Sequence, residues 1–144
     1  MKIYKTFALT ILASFFTLAV GCNFPSEKEK YLEIENRNKS EKHIVASVPQ
    51  IFEDYRANEV AADNKYKEKV VELKGTVVNI SEFSEDVINV TLEHNLGLRS
   101  DCLFRNELHR DEIADIQKGF EIKVRGKFFS IKDDNLRMAG CWFP

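Results

Sequence analysis

Two stretches decide the fold: Val71-Glu-Leu-Lys-Gly-Thr-Val-Val-Asn-Ile80 and Ile122-Lys-Val-Arg-Gly-Lys-Phe-Phe-Ser-Ile131. Both alternate apolar and polar residues, which is the period of a strand with one buried face. Each has a glycine at the same place, Gly75 in the first stretch and Gly126 in the second. A glycine inside a strand marks a bulge or the corner of a barrel. The match therefore predicts two long strands that each bend at the glycine.

The rest of the C-terminal half supplies three more strands and a helix. The apolar patterns predict strands at 88–92, 98–104 and 136–142, and a short helix over 107–118 that Gly119 ends. Five strands with a helix between the third and the fourth have the order of an OB-fold barrel. The predicted fold class is thus mainly β with helices. An SH3-like barrel is the alternative, but it has no natural place for residues 107–118.

A longer helix precedes the predicted barrel. Ser47 and Gln50 have the spacing of a capping box, and Pro49 is tolerated in a first helical turn. Apolar residues then recur at steps of three and four, which predicts one helix over about 48–64. We therefore assign residues 47–144 to a single OB-fold domain with an N-terminal helix.

The N-terminus has the pattern of an export signal. Lys2 and Lys5 precede an apolar stretch at 7–20, and residues 18–22, Leu-Ala-Val-Gly-Cys, resemble the bacterial lipobox. We predict a lipoprotein signal peptide over 1–21, lipid modification of Cys22, and attachment to a membrane by that anchor. The alternatives are ordinary signal cleavage, with Cys22 as a spare thiol, and a retained anchor helix.

Residues 22–46 are rich in charge and have no sustained apolar period. Such a composition is typical of a solvated spacer. The sequence therefore predicts a flexible tether between the anchor and the folded domain.

The segment Tyr55-Arg-Ala-Asn-Glu-Val-Ala-Ala-Asp63 resembles the signature of the tRNA_anti-like family, as does the pair of later cysteines. The resemblance covers about 50–142. It implies an OB fold and a place in the cell envelope, and it supplies no catalytic residues. Asn58, Glu59 and Asp63 of this segment form either a polar contact surface or hydrogen bonds that seat the helix on the barrel.

Cys102 and Cys141 fall on the predicted third and fifth strands, which lie side by side in an OB barrel. Exported proteins tolerate disulfides, and a bridge between these residues would stabilise the fold by roughly 4 kcal/mol on the chain-entropy model. We predict that disulfide. The alternative is two reduced, buried cysteines that pack as small apolar groups.

A basic stripe is the candidate binding surface, for a protein or a polyanion, and the alternative is a solvated wall of the barrel without a ligand. The stripe consists of Lys74 on the first long strand and three residues on the second, namely Lys123, Arg125 and Lys127. Single-strand nucleic-acid binders add stacking aromatics to such a stripe. The alternation here turns Phe120 and Phe128 inward and leaves only Phe83 and Phe129. The formal net charge of −2 also does not favour nucleic acid.

No motif in the chain indicates catalysis, a metal or a cofactor. His43, His94 and His109 lie in three separate segments without metal-ligand spacing, and we interpret them as surface residues. Two acidic turns could hold Ca²⁺ but are more simply solvated. They contain Glu82, Glu85 and Asp86 in one case and Asp133 and Asp134 in the other.

From these observations we expect a non-enzymatic, lipid-anchored, extracytoplasmic OB-fold protein that binds a protein or a glycan of the envelope. A nucleic-acid-binding OB protein is the alternative from another class. A hydrolase whose site has no recognisable motif comes third.

Overall fold

The computed structural model describes residues 25–144. The predicted signal peptide and the lipidation of Cys22 fall outside this range. The chain forms four α-helices and six strands within the described residues: α1 Glu27–Ser40, β1 Ile44–Val45, α2 Val48–Ala57, α3 Glu59–Tyr66, β2 Val70–Ser84, β3 Val87–Glu93, β4 Arg99–Arg105, α4 Asn106–Ala114, β5 Glu121–Lys132 and β6 Asn135–Trp142.

Five of the strands pair in a closed ring. The order is β2-β3-β4-β6-β5, and a further pairing of β5 with β2 joins its two ends. Neighbours are antiparallel except β4 and β6, which run parallel. This order, with α4 between the third and fourth strands of the ring, confirms the predicted OB-fold class.

The two long strands change partner at or beside their glycines. Residues 70–76 of β2 pair with β5, and residues 76–84 pair with β3. The pairing of β5 with β6 shifts register between Arg125 and Lys127, but the extra residue of this bulge lies on β6, at Gly140 and Cys141 opposite Gly126. At Gly75 the register with β5 is continuous.

At each of the two glycines, a side chain from a neighbouring segment packs directly against the backbone. A Cβ atom at Gly75 would lie 2.6 Å from His94 Cε1, and one at Gly126 would lie 2.5 Å from Cys141 Sγ. Close approach of a neighbouring side chain therefore requires glycine at both sites, and neither glycine is itself the extra residue of a bulge.

The predicted helix over 48–64 is two helices, α2 and α3, which meet at Asn58. This residue has an extended backbone (φ −164°, ψ 99°), and its side chain accepts a hydrogen bond from the Ala61 N–H at 3.1 Å. Asparagine favours such a cap over a helix interior because its side chain competes for backbone groups. Asp54 then joins the helices by accepting hydrogen bonds from Lys65 Nζ at 2.8 Å and the Tyr66 hydroxyl at 2.6 Å. These bonds lower the pKa of Asp54 to about 2.

The predicted tether over 22–46 differs from the structure, because residues 27–40 form α1 and 44–45 form β1. Ser26 and Glu29 close a capping box at the start of α1. The helix docks through polar side chains: Glu35 is 8% exposed, and its carboxylate lies 2.7 Å from Nε2 of His109 on α4, itself 5% exposed. The folded domain thus includes the residues from Ser26 onward and not only those after residue 46.

Helix α4 is shorter than predicted and ends at Ala114. Gly119 lies in the following turn with φ +92°, where its N–H donates to the Val77 carbonyl at 2.8 Å. Strand β5 begins only at Glu121, so Phe120 is 47% exposed and does not point inward, whereas Phe128 is buried as predicted.

Candidate functional site

The four residues of the predicted stripe lie together on the outside of β2 and β5. Lys74 stands opposite Lys123 in the pairing of these strands, and Arg125 stands opposite Glu72. Lys127 follows Arg125 on the same side of β5. We call these four residues, Lys74, Lys123, Arg125 and Lys127, the basic wall.

Each residue of the basic wall meets a carboxylate. Lys74 Nζ lies 2.6 Å from Glu121, and Lys127 Nζ lies 3.1 Å from Glu41. Glu72 is almost buried and receives Arg125 Nε at 2.7 Å, with Lys123 Nζ at 3.9 Å. These carboxylates offset the positive charge, so the wall is less electropositive than the sequence stripe suggests.

A second polar surface lies on the outer side of β3, β4 and β6. The Asp101 carboxylate accepts hydrogen bonds from Thr91 Oγ1 at 2.8 Å and from Asn89 Nδ2 at 3.2 Å, and also from Asn135 Nδ2. The amide oxygens of Asn89 and Asn135 have no hydrogen-bond partner among the described residues. We call Asn89, Thr91, Asp101 and Asn135 the polar face. OB folds bind oligomeric ligands on this side of the barrel.

The polar face was not predicted from the sequence. Its signal was present, because Asn89 and Thr91 alternate with the apolar residues of the predicted second strand, and Asp101 does the same in the third. The alternation indicated that these residues point outward. The strand pairing that brings these residues next to Asn135 could not be predicted from the sequence.

The family-signature segment borders a cleft of about 510 Å³ between the helices and the end of β5. Tyr55, Glu59, Asp63, Phe129 and Asp133 are among its lining residues. The Tyr55 hydroxyl donates to Asp63 at 2.7 Å, and the pKa of Tyr55 rises because of burial and this bond. Together with the cap at Asn58, this bond shows that the segment holds the helices in place.

The histidines occupy three different environments. His43 is half-buried beside Glu72, and His109 is buried against α1, so the prediction that it is a surface residue was wrong. His94 is also largely enclosed. Its Nδ1 donates to the Lys74 carbonyl at 3.1 Å, so Nε2 accepts from the Ser100 hydroxyl at 2.8 Å. Burial lowers the pKa of His94. Ser100 is completely buried, so this pair does not present a nucleophile to solvent.

Cys102 and Cys141 lie on the adjacent strands β4 and β6, as the sequence indicated. Both are buried free thiols in the structure, so the disulfide itself stays a prediction. Burial and the neighbouring Cys102 thiol raise the pKa of Cys141 well above its usual value. Iodoacetamide should therefore leave both residues unmodified in the folded, reduced protein and modify both in urea.

Residues 25–144 contain neither a candidate metal site nor a candidate membrane-spanning helix. This part of the chain has no group of three or more His, Cys, Asp or Glu side chains placed to hold a metal ion. It likewise has no helix that is both long and apolar enough to cross a membrane.

The closed ring of strands and the position of α4 define this chain as an OB-fold protein. The chain belongs to the tRNA_anti-like family, which matches residues 1–141. This match confirms the resemblance drawn from the Tyr55–Asp63 segment.

Several solved structures are similar to this chain. A Klebsiella pneumoniae protein named a "putative nucleic acid-binding lipoprotein" has a TM-score of 0.56 at 19% identity, over 71% of this chain and 92% of its own. An asparaginyl-tRNA synthetase of Entamoeba histolytica has a TM-score of 0.44 at 17% identity, over 67% of this chain and 22% of its own. The Stn1–Ten1 complex of S. pombe has a TM-score of 0.41 at 15% identity, over 52% and 57%. A comparison with curated proteins finds no match.

Proposed function

We propose that this chain is a lipid-anchored, extracytoplasmic binding protein of the bacterial envelope, without catalytic activity, whose polar face binds a protein or a glycan. The observation that carries the proposal is the Asp101 cluster on the ligand side of the OB barrel. Its carboxylate is surrounded by amide and hydroxyl groups, and two amide oxygens have no partner among residues 25–144.

The chemistry of this cluster favours a ligand rich in hydroxyl or N–H groups. Buried amide oxygens need a donor, and leaving one unpaired costs about 1–3 kcal/mol. A sugar hydroxyl or a peptide N–H supplies such a donor without bringing charge. A phosphate would instead place a negative charge close to the Asp101 carboxylate, where the interaction is repulsive.

The anchor rests on the sequence at residues 18–22, Leu-Ala-Val-Gly-Cys, and on the apolar stretch before it. Two or more acyl chains bind a bilayer firmly, whereas one binds only marginally. We expect wild-type protein in the membrane fraction of cells and Cys22→Ser protein in the soluble fraction. Persistence of the variant in the membrane fraction would show that Cys22 is not the anchor.

Photocrosslinking in intact cells tests the binding surface. A photoreactive amino acid replaces Arg137, which is exposed and stands opposite Asp101, or Lys123 of the basic wall as the control. We expect covalent products from position 137 that Asp101→Asn diminishes, and few from position 123. Co-sedimentation of the purified domain with cell-wall glycan tests whether the ligand is a glycan, and the Asp101→Asn variant is compared in the same assay. If position 123 gives the specific products, the basic wall is the binding surface and the proposal is wrong.

Nucleic acid is the second candidate function. Phe83 and Phe129 are 69% and 66% exposed, and exposed aromatics are what single-strand binders use for stacking. The name of the Klebsiella pneumoniae protein points the same way. Against it stand the carboxylates that pair with every residue of the basic wall. A mobility shift with single-stranded RNA or DNA that weakens with salt would favour this alternative, and no shift at low salt would remove it.

A further inference from the structure

Helix α1 is attached to the barrel by specific contacts along its inner face. The Tyr31 ring lies 4.1 Å from the guanidinium carbon of Arg105, at the end of β4. One turn later, Glu35 contacts His109 of α4, and both side chains are buried. A hydrogen bond between two buried side chains is costly to break, because each would lose its partner without access to water, so the helix and the barrel form one unit.

The link between the proposed anchor and this unit is short. Ser26 is the N-cap of α1, and four peptide steps separate it from Cys22. Four residues span at most about 14 Å when fully extended. A flexible tether over 22–46, as the sequence suggested, would have an end-to-end distance of roughly 25–30 Å and a much longer reach. The headgroup layer alone is about 6 Å thick, so the start of α1 must lie at the membrane surface.

The N-terminal half of α1 lies on the same side of the barrel as the turn between β2 and β3. Arg105 borders two neighbouring hollows, one lined by Tyr31 and the other by Phe83 at the end of β2. The next residue, Asn106, fixes this turn, because its side chain donates to the Glu85 carbonyl at 2.9 Å. Phe83 projects from the turn and is 69% exposed.

We propose that the barrel lies directly on the phospholipid surface, with the start of α1 and the β2–β3 turn facing the bilayer and Phe83 entering the headgroup layer. The proposal rests on lipidation of Cys22. Aromatic side chains are favourable at this depth. The exposed carboxylates of Glu82, Glu85 and Asp86 beside Phe83 are repelled by anionic headgroups, so the short link rather than charge holds the turn at the surface. Asn89 of the polar face lies on β3 close to this turn. A partner bound to the polar face would therefore also lie near the membrane surface.

Fluorescence quenching tests the orientation. The processed, acylated protein is placed in vesicles of phosphatidylethanolamine and phosphatidylglycerol that contain a headgroup spin-labelled lipid. The variants Phe83→Trp and Phe129→Trp are compared; Phe129 is equally exposed but borders the cleft beside α2, and the buried Trp142 is common to both. We expect at least twofold more quenching for the tryptophan at position 83 than for the one at 129. Equal quenching, or more at position 129, would overturn the proposal.

Two further proteins separate the orientation from the anchor. An insertion of about 20 Gly and Ser residues between Phe24 and Pro25 adds roughly 25 Å of reach. It should keep the protein on the vesicles and abolish the excess quenching at position 83. Unchanged quenching would show that the short link does not hold the barrel down. If wild-type protein fails to sediment with vesicles, the anchor is wrong. If it sediments but the two tryptophans are quenched alike, only the orientation is wrong.

Discussion

The contact between Gly126 and Cys141 sets a measurable limit on substitution. A Cβ atom at position 126 would lie 2.5 Å from Cys141 Sγ, and its next contacts would be at 3.4 Å. Gly126→Ala therefore forces the thiol or strand β5 to move. Overpacking of this kind costs about 1–3 kcal/mol, and the reduced freedom of the unfolded chain offsets about 0.4–1 kcal/mol of it. We expect the free energy of unfolding to fall by about 1–2 kcal/mol.

A double-mutant cycle with Cys141→Ala isolates this contact. Cys141→Ala removes the sulfur and should cost about 1 kcal/mol as a small cavity. In the double variant the new methyl group occupies the space that the sulfur leaves. We therefore expect a coupling energy of at least about 1 kcal/mol between the two substitutions. Urea unfolding with reductant present measures it, and the midpoint of Gly126→Ala alone should fall by about 0.5–1 M.

A second glycine provides the control. Gly119 has φ +92° and nothing within 4 Å of its Cβ position. Gly119→Ala strains the backbone but should not couple to Cys141→Ala. If the effects of Gly126→Ala and Cys141→Ala add within about 0.5 kcal/mol, the thiol is not what requires a glycine at position 126.

Four other substitutions, one of them a control, test the remaining polar contacts. Glu35→Ala should release α1 from the barrel. We expect faster hydrogen exchange for the amides of residues 27–40, while the barrel amides stay protected. If α1 is protected as well in the variant as in the wild-type protein, Glu35 does not dock the helix. Arg125→Ala should lower the free energy of unfolding by about 1–3 kcal/mol, because it leaves the nearly buried Glu72 without its hydrogen-bond donor. Lys123→Ala is the control: its exposed amine lies 3.9 Å from Glu72, so urea unfolding should show almost no change in stability. Asp54 has a pKa lowered from 3.8 to about 2, so its stabilising effect is present above pH 4 and is lost as the pH falls towards 2. Asp54→Asn should flatten the stability profile in that interval, and an unchanged profile would show that Asp54 is not responsible.

Much of the fold could be predicted from the sequence, because the patterns that specify its strands lie within short segments. The alternation in 71–80 and 122–131 identified the two long strands, and the shared glycine located the places where they change partner. Asn58 shows the limit of such reading. The apolar period runs on through it, and only its extended backbone and its cap on Ala61 divide the helix.

Helix α1 was missed for a different reason. A predicted amphipathic helix requires an apolar stripe, and α1 docks through Glu35 and Asn38 instead. The partner of Glu35 is His109, far away in the sequence, so no local pattern could show that residues 27–40 are part of the domain. The same limit applied to the basic wall, because the sequence displays its cations but not the carboxylates that fold against them.

The basic wall and the polar face differ in how many of their hydrogen-bonding groups are unpaired within the chain. On the basic wall, donors and acceptors are matched within the chain: every cation has a carboxylate, and Glu72 serves two of the cations at once. A ligand there must first break an internal pair, and it gains only the difference between the two interactions. On the polar face, Asp101 uses the donors of Asn89 and Asn135, while the amide oxygens of the same side chains have no partner among residues 25–144. Because these oxygens are buried, a hydroxyl or N–H group reaches them only when the amide side chain turns outward, and it then pairs an acceptor that had no donor. This asymmetry, rather than the number of charges on either surface, is why binding is assigned to the polar face.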